Sequence, residues 1–164
     1  MMSQTLREDI REYHALLKAG SIQKAYRGIM GFMANLKVYL EKKYPTYLTS
    51  ALYLGYMDMT YFAFTPESLK NKKLKIAVVF LHEECRFDVW LGATNRRIQS
   101  DFIDKLRNQD LGAYQLSAVG PGVDSIIESI LVDEPDFDRL DELKTRIEDK
   151  LLPFIEDVAA LLED

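Results

Sequence analysis

One short apolar stretch decides the fold: LKIAVVFL at positions 74–81. Its residues are apolar at successive positions instead of every second one, which is typical of a strand covered on both faces. After the loop 82–85, the stretch RFDVWL at positions 86–91 alternates between apolar and polar residues. The two stretches predict a β-hairpin. Its expected cross-strand pairs are Leu81 with Arg86, Val79 with Asp88 and Ala77 with Trp90.

Further elements are predicted on both sides of this hairpin. Apolar residues at helical spacing predict helices over 5–19, 21–44, 94–108 and from 138 onward, and alternation predicts a strand over 57–65. Residues 123–132 favour another strand, although their carboxylates and serines leave a helix open. Pro153 is expected to kink or split the last helix, because proline disrupts the helical hydrogen bonds.

The third helix and the end of the hairpin carry three local predictions. Gly92 is expected to break the strand, and Thr94 is expected to cap the helix that follows. The residues predicted to face inward from this helix are Ile98, Phe102 and Leu106.

The element order is therefore helix, helix, strand, strand, strand, helix, strand, helix (ααβββαβα). This order predicts one α+β domain over residues 1–164, with a three- to four-stranded antiparallel or mixed sheet. The strand at 74–81 should be central, and helices should flank the sheet because that strand needs cover on both faces.

Composition narrows the function classes. The 164 residues are 48% hydrophobic and 29% charged, which is ordinary for a globular domain. The single cysteine, Cys85, permits no intramolecular disulfide, and no apolar run is long enough for a signal peptide or a membrane span. We expect a cytoplasmic protein without membrane association. The net charge of −5 argues against nucleic-acid binding, which needs a basic surface.

A candidate binding site emerges from the hairpin. Arg86, Asp88 and Trp90 should share one sheet face, and Asn95 lies just past the end of their strand. If Thr65 pairs with Leu74, Asp58 flanks the same face. One interpretation is an ordinary strand ion pair beside a core tryptophan. The other is a ligand or partner site formed by these residues.

Other reactive residue types give weaker signals. His14 and His82 are isolated in the sequence, and Cys85 lies in a turn without a suitable partner, so we predict no catalytic residue, no metal site and no cofactor. Gly120-Pro121-Gly122 lacks the lysine of a phosphate loop. The lysines of the connection before the central strand favour a solvated turn over a nucleic-acid patch; they are Lys70, Lys72, Lys73 and Lys75.

Three segments of the sequence are distinctive: GYMDMTYF at 55–62, RFDVWL at 86–91 with Asn95 and Gln99, and GVDSIIE at 122–128. They resemble a family of small bacterial proteins known only as a domain of unknown function. The resemblance extends over nearly the whole chain. It implies a bacterial, cytoplasmic protein and carries no assigned chemistry. The expected clustering of Arg86, Trp90 and Asn95 beside the hairpin instead leads us to expect a non-catalytic module that binds a small ligand or a protein.

A weaker similarity is topological. The run helix, three strands, helix, strand resembles the core of restriction-endonuclease-like nucleases, which hold a divalent metal with carboxylates and a carboxylate-x-lysine motif. Asp88-Val89-Trp90 stands at that motif without the lysine. The alternative function is therefore a metal-dependent or degenerate nuclease-like domain, with Asp58, Asp88 and Glu128 as the magnesium ligands.

The C-terminal helix suggests an assembly. Its apolar residues recur at steps of three or four from Leu140 to Leu161, and Leu152, Ile155 and Leu162 widen the apolar face. One interpretation is that Pro153 bends the helix so that both halves cover one core. The other is a homodimer, or a protein partner, bound through this helix.

Overall fold

The computed structural model describes residues 3–163, which divide into two compact units at residue 35. In the first unit, helix α1 (Leu6–Ala19) begins with a capping box formed by Thr5 and Glu8. Gly20 closes α1 in the left-handed conformation, with φ 88°. None of the residues of α1 is buried. Helix α2 (Ser21–Lys43) begins in this unit and ends in the second.

The second unit contains the remaining elements. The strands are β1 (Leu48–Thr49), β2 (Met59–Thr65), β3 (Leu74–Leu81), β4 (Arg86–Ala93), β5 (Gln115–Leu116) and β6 (Ser125–Asp133). The helices are α3 (Glu67–Lys70), α4 (Arg96–Leu106) and α5 (Leu140–Leu161). No helix within residues 3–163 has the length and apolar character needed to cross a membrane.

The α+β class is confirmed, but the predicted number of strands is wrong. The described residues form five helices and one six-stranded sheet in the order β1-β2-β3-β4-β6-β5, with every neighbouring pair antiparallel. The two additional strands, β1 and β5, contain two residues each. Two residues are too few to display an alternating pattern, which explains why the sequence did not predict them. The single-domain organisation stays a prediction.

The hairpin at the centre of the sheet is confirmed. Leu81 pairs with Arg86, Val79 with Asp88 and Ala77 with Trp90. The register between β2 and β3 is one residue away from the prediction, because Met59 pairs with Leu81. The connection contains α3, and the Thr65 side chain accepts a hydrogen bond from the Ile76 amide at 3.1 Å. A shift of one residue moves every side chain of the strand to the opposite face.

The sheet has two unequal faces. The core face consists of fully buried side chains, and those contributed by β2, β3 and β4 include Phe62, Phe64, Ile76, Val78, Phe80, Phe87, Val89 and Leu91. We call the opposite face the pocket face. It buries Val79 and Asp88, but leaves Tyr61 and Trp90 partly exposed and Lys75 exposed. The two-sided apolar character of β3 is thus confirmed by the burial of both Val78 and Val79.

Helix α4 differs from the prediction in three respects. Strand β4 continues through Gly92 to Ala93, and the N-cap is Asn95 instead of Thr94. The Asn95 side chain accepts a hydrogen bond from the Ile98 amide at 2.9 Å. The buried residues of the helix are Gln99, Ile103 and Leu106, so two of the three predicted inward positions are one residue off.

The structure of β6 and α5 decides between alternatives that the sequence left open for the C-terminal part of the chain. Residues of the segment 123–132 form a strand, not a helix. Helix α5 runs through Pro153 without being split. Ile155 and Leu162, which widen the apolar face of the sequence pattern, are 1% and 0% exposed and therefore belong to the core. The homodimer or protein partner through the C-terminal helix stays a prediction.

Candidate functional site

The pocket face is organised around a buried carboxylate. Asp88 is 3% exposed and accepts two hydrogen bonds from the guanidinium of Arg86, at 2.9 and 3.3 Å. The indole N–H of Trp90 donates to the same carboxylate at 3.4 Å. Because a buried charge must be compensated, Arg86 stabilises Asp88, and Asp88 in turn orients Trp90. Hydrogen bonding to Asp88 raises the pKa of Arg86 above its usual value despite partial burial.

A pocket of about 240 Å³ lies on this face, and we call it the pocket-face cavity. Its sheet residues are Met59, Tyr61, Lys75, Ala77, Trp90 and Gly92, and the segments around the start of α4 and β6 add Ala93, Thr94, Asn95, Arg96, Gln99 and Asp124. Two aromatic rings, two cations, two amides and one carboxylate therefore surround a small space. This combination of an apolar wall with a few polar groups is typical of a ligand site.

The rim of the pocket-face cavity is fixed by hydrogen bonds from α4. Gln99 is 2% exposed, and its amide donates to the carbonyls of Val123 and Ser125 at 2.9 and 3.0 Å. The guanidinium of Arg96 donates to Gln99 at 3.1 Å, to the Val123 carbonyl and to Asp124 at 3.2 Å. These bonds attach the start of α4 to the start of β6. The site is therefore held by regular elements instead of by free loops.

The predicted site residues fall into three groups. Trp90 and Asn95 line the pocket-face cavity together. Arg86 and Asp88 lie in the adjacent rows of the same face and line a neighbouring depression with Glu128. Asp58 was wrongly placed beside Arg86. It precedes β2, is exposed, and its carboxylate accepts a hydrogen bond from the Tyr56 amide at 2.9 Å, because the register shift puts Met59 in the row of Arg86.

Lys75, Tyr61 and Arg96 are site residues that the sequence did not identify. Lys75 was interpreted as part of a solvated turn, but its ammonium lies 5.8 Å from the centre of the Tyr61 ring. Tyr61 reaches the pocket face only because of the register shift. The sequence does contain a signal for Lys75, because this residue is the single polar position inside an otherwise apolar strand and such a residue needs a specific environment.

His82 forms a separate polar contact at the end of β3. The Thr60 hydroxyl is buried and donates to the Leu54 carbonyl at 2.7 Å, so it accepts from His82 Nε2 at 2.8 Å. Burial lowers the pKa of His82 below its usual value, although the nearby Asp58 carboxylate opposes that change. Hydrogen bonds from the Tyr56 and Met59 amides lower the pKa of Asp58. The folded protein therefore favours neutral His82.

We expect a measurable pH dependence from His82. As the pH falls through about 6.5, His82 is protonated in the unfolded chain before it is protonated in the folded protein. The free energy of unfolding therefore decreases until the pH reaches the lower pKa of His82 in the folded protein. Urea unfolding at pH 7.5 and at pH 5.5 should show a smaller loss of stability for His82→Gln than for the wild type. His14→Gln is the matched control, because His14 is exposed. Equal losses for wild type and His82→Gln would contradict this prediction.

A second polar cluster connects the end of α2 with α5, within the second unit. Glu148 is 7% exposed and accepts hydrogen bonds from Tyr39 at 2.7 Å and Tyr44 at 2.5 Å. The Lys43 ammonium lies 2.7 Å from the same carboxylate. The Lys144 ammonium lies 4.5 Å from the centre of the Tyr39 ring. We call these residues the Glu148 cluster, and its closed set of contacts indicates a structural tie.

The described residues hold no group of three His, Cys, Asp or Glu side chains that could bind a metal ion. Asp58, Asp88 and Glu128 do not converge, since Asp58 belongs to a different row and Asp88 is paired with Arg86. The metal-dependent nuclease alternative consequently lacks the ligand set it requires.

Comparison with known protein families identifies a match over most of the chain. Residues 6–162 match a domain of unknown function, DUF7000, over nearly the whole chain. Neither a curated protein nor a solved structure matches the chain.

Proposed function

Since the chain belongs to the DUF7000 family, a domain of unknown function, we propose its role from the geometry of the site. The protein is a non-catalytic module that binds a small ligand in the pocket-face cavity. The observation that carries the proposal is the convergence of Trp90, Tyr61, Lys75 and Asn95 on one small concave space. Family membership brings no chemistry that could replace this argument.

Three features support binding over catalysis. The carboxylate that accepts a hydrogen bond from Trp90, Asp88, is already neutralised by Arg86 and does not line the cavity. Asp124, which is the only carboxylate that residues 3–163 contribute to the lining, is paired with Arg96. The histidine His82 lies outside the lining. Among the described residues the cavity thus offers neither an unpaired carboxylate nor an imidazole as a general base, whereas its aromatic and amide groups suit recognition.

Trp90 offers a direct test, because it is the only tryptophan in the chain and lines the cavity. A chemically diverse library of small metabolites should contain compounds that shift both the Trp90 indole signal in a ¹H–¹⁵N correlation spectrum and the melting temperature. Ala77→Leu should abolish these shifts, because the larger side chain fills the floor of the cavity.

The matched control is Ala51→Leu, which adds the same volume at an exposed position outside the cavity. A circular dichroism melt establishes that Ala77→Leu is folded, since overpacking costs about 1–3 kcal/mol. Compounds that bind wild type and a folded Ala77→Leu variant equally well would remove the cavity as the site.

The proposal also places the module in the cytoplasm of a bacterium, as the family resemblance implies. An exposed free thiol, Cys85, supports a reducing compartment, where cysteines persist unpaired.

A further inference from the structure

We propose that the ligand of the pocket-face cavity is a small planar monoanion, of the class of single-ring aromatic carboxylates. The inference deepens the proposed function and rests on it. It combines the aromatic wall of the cavity, its charge and its size.

The aromatic wall of the cavity suits a flat group. Trp90 on β4 pairs with Ala77 on β3, whereas Tyr61 on β2 pairs with Val79, the next residue of β3 on the same face. The two rings both line the cavity and are offset along the strands by two residues, about 6.4–6.8 Å. The small side chain of Ala77 leaves space beside the Trp90 indole, and a flat ring can stack there at about 3.5–4.0 Å.

The charge of the lining favours one negative charge on the ligand. Arg96 and Asp124 pair with each other at 3.2 Å and cancel. Lys75 is exposed, and among the described residues its ammonium is within salt-bridge distance of no carboxylate. Glu128 pairs with Trp90 across the strands but lines the neighbouring depression. One uncompensated cation remains at the cavity, and a carboxylate is its natural counterpart.

Gly92 keeps this cation close to the sheet. A methyl group added at Gly92 would lie 3.6 Å from Cε of Lys75 and 3.4 Å from the Asp124 carbonyl oxygen. A larger residue would thus displace the Lys75 side chain from the floor of the cavity. The absence of a side chain at this position lets the ammonium remain beside the Tyr61 ring, at 5.8 Å.

The size of the cavity sets an upper limit on the ligand. Its volume of about 240 Å³ is below the range of about 300–1,000 Å³ that holds drug-sized molecules. A nucleotide or dinucleotide would exceed it, whereas one ring with one carboxylate fits.

Four probes separate the parts of this proposal: benzoate, its neutral counterpart benzamide, the non-planar cyclohexanecarboxylate, and inorganic phosphate. Calorimetric titration of the full chain should show benzoate binding at least about tenfold more tightly than the other three, which is about 1.4 kcal/mol. Lys75→Met should weaken benzoate binding about tenfold and leave benzamide unchanged, because the variant keeps the length of the side chain and removes its charge. Lys70→Met, in α3 outside the cavity, should change neither.

Two results would overturn the inference. Benzamide binding as tightly as benzoate, or an unchanged benzoate affinity in Lys75→Met, would remove the requirement for an anion. Equal binding of cyclohexanecarboxylate or phosphate would remove the requirement for a planar ring. The proposed function would survive either result if the compounds that bind the wild type most tightly failed to bind Ala77→Leu. The proposed function would itself fail if no compound bound the wild type more tightly than Ala77→Leu.

Discussion

Replacing Glu148 by alanine is expected to lower the free energy of unfolding by about 3 kcal/mol, since a hydrogen bond to a charged group contributes about 1.5–3 kcal/mol and more than one is lost. The carboxylate is buried and accepts hydrogen bonds from Tyr39 and Tyr44 in addition to its contact with Lys43. Its removal leaves two partly buried hydroxyl groups without their acceptor. Urea unfolding followed by circular dichroism measures the change.

The neighbouring Asp149 supplies the control for this prediction. It is exposed on the same helix, so Asp149→Ala should change the stability by no more than about 0.5 kcal/mol. Equal effects of the two variants would show that the Glu148 cluster contributes nothing beyond an ordinary surface charge.

The Glu148 cluster should also affect how the free energy of unfolding depends on pH under acidic conditions. Burial opposes ionisation of Glu148, but hydrogen bonds from Lys43, Tyr44 and Tyr39 outweigh it and hold the pKa of the carboxyl below its usual value. Burial and the hydrogen bond to Glu148 raise the pKa of Tyr44 to about 12. Because the folded-state pKa of Glu148 is lowered, its contribution is present above about pH 4.5, the unfolded value, and is lost as the pH falls through the folded value. Glu148→Ala should therefore flatten the decline of stability below pH 4.5.

The second large effect is expected from Asp88→Ala, at about 2 kcal/mol, because a hydrogen bond to a charged group contributes about 1.5–3 kcal/mol and the partly buried Arg86 loses its counterion. The guanidinium of Arg86 loses both hydrogen bonds, and the Trp90 indole loses its acceptor. Since Trp90 is then no longer oriented, we also expect weaker benzoate binding at the pocket-face cavity. Unfolding and calorimetric titration measure the two consequences independently.

A double variant distinguishes the stranded charge from lost packing. In Arg86→Met with Asp88→Leu, both charges are absent, so most of the stability lost in Asp88→Ala should return. The orientation of Trp90 should not return, because leucine offers its indole N–H no acceptor. A double variant as unstable as Asp88→Ala would contradict the role assigned to the ion pair.

The parts of the fold that the sequence predicted correctly are those with strong local patterns. The loop between Leu81 and Arg86 is short, so the pairing of β3 with β4 followed from counting residues. The connection between β2 and β3 contains α3, and its length left the register open by one residue. That single residue decided whether Asp58 or Met59 occupied the row of Arg86.

The candidate site was predicted only in part, for a related reason. Trp90 and Asn95 belong to it through the hairpin and the start of the next helix, both of which are local features. Gln99 is buried although it is polar, because two backbone carbonyls that lie more than 20 residues away in the sequence accept its hydrogen bonds. Hydrophobic periodicity cannot identify such a residue, since its burial depends on tertiary contacts.

The two-residue strands at the margins of the sheet have a consequence for behaviour at high concentration. An outer strand exposes unpaired backbone groups that can template the addition of another chain, and this is a common origin of fibrils. Here the outermost strands cover only part of their neighbours: Leu48–Thr49 pairs with Phe64 and Thr65 of β2, and Gln115–Leu116 pairs with Ile127 and Glu128 of β6. The long strands β3 and β4, which are the most apolar, are enclosed within the sheet. A second chain would therefore add first along the partly covered edges of β2 and β6, and it would reach β3 and β4 only after the margins of the sheet had opened.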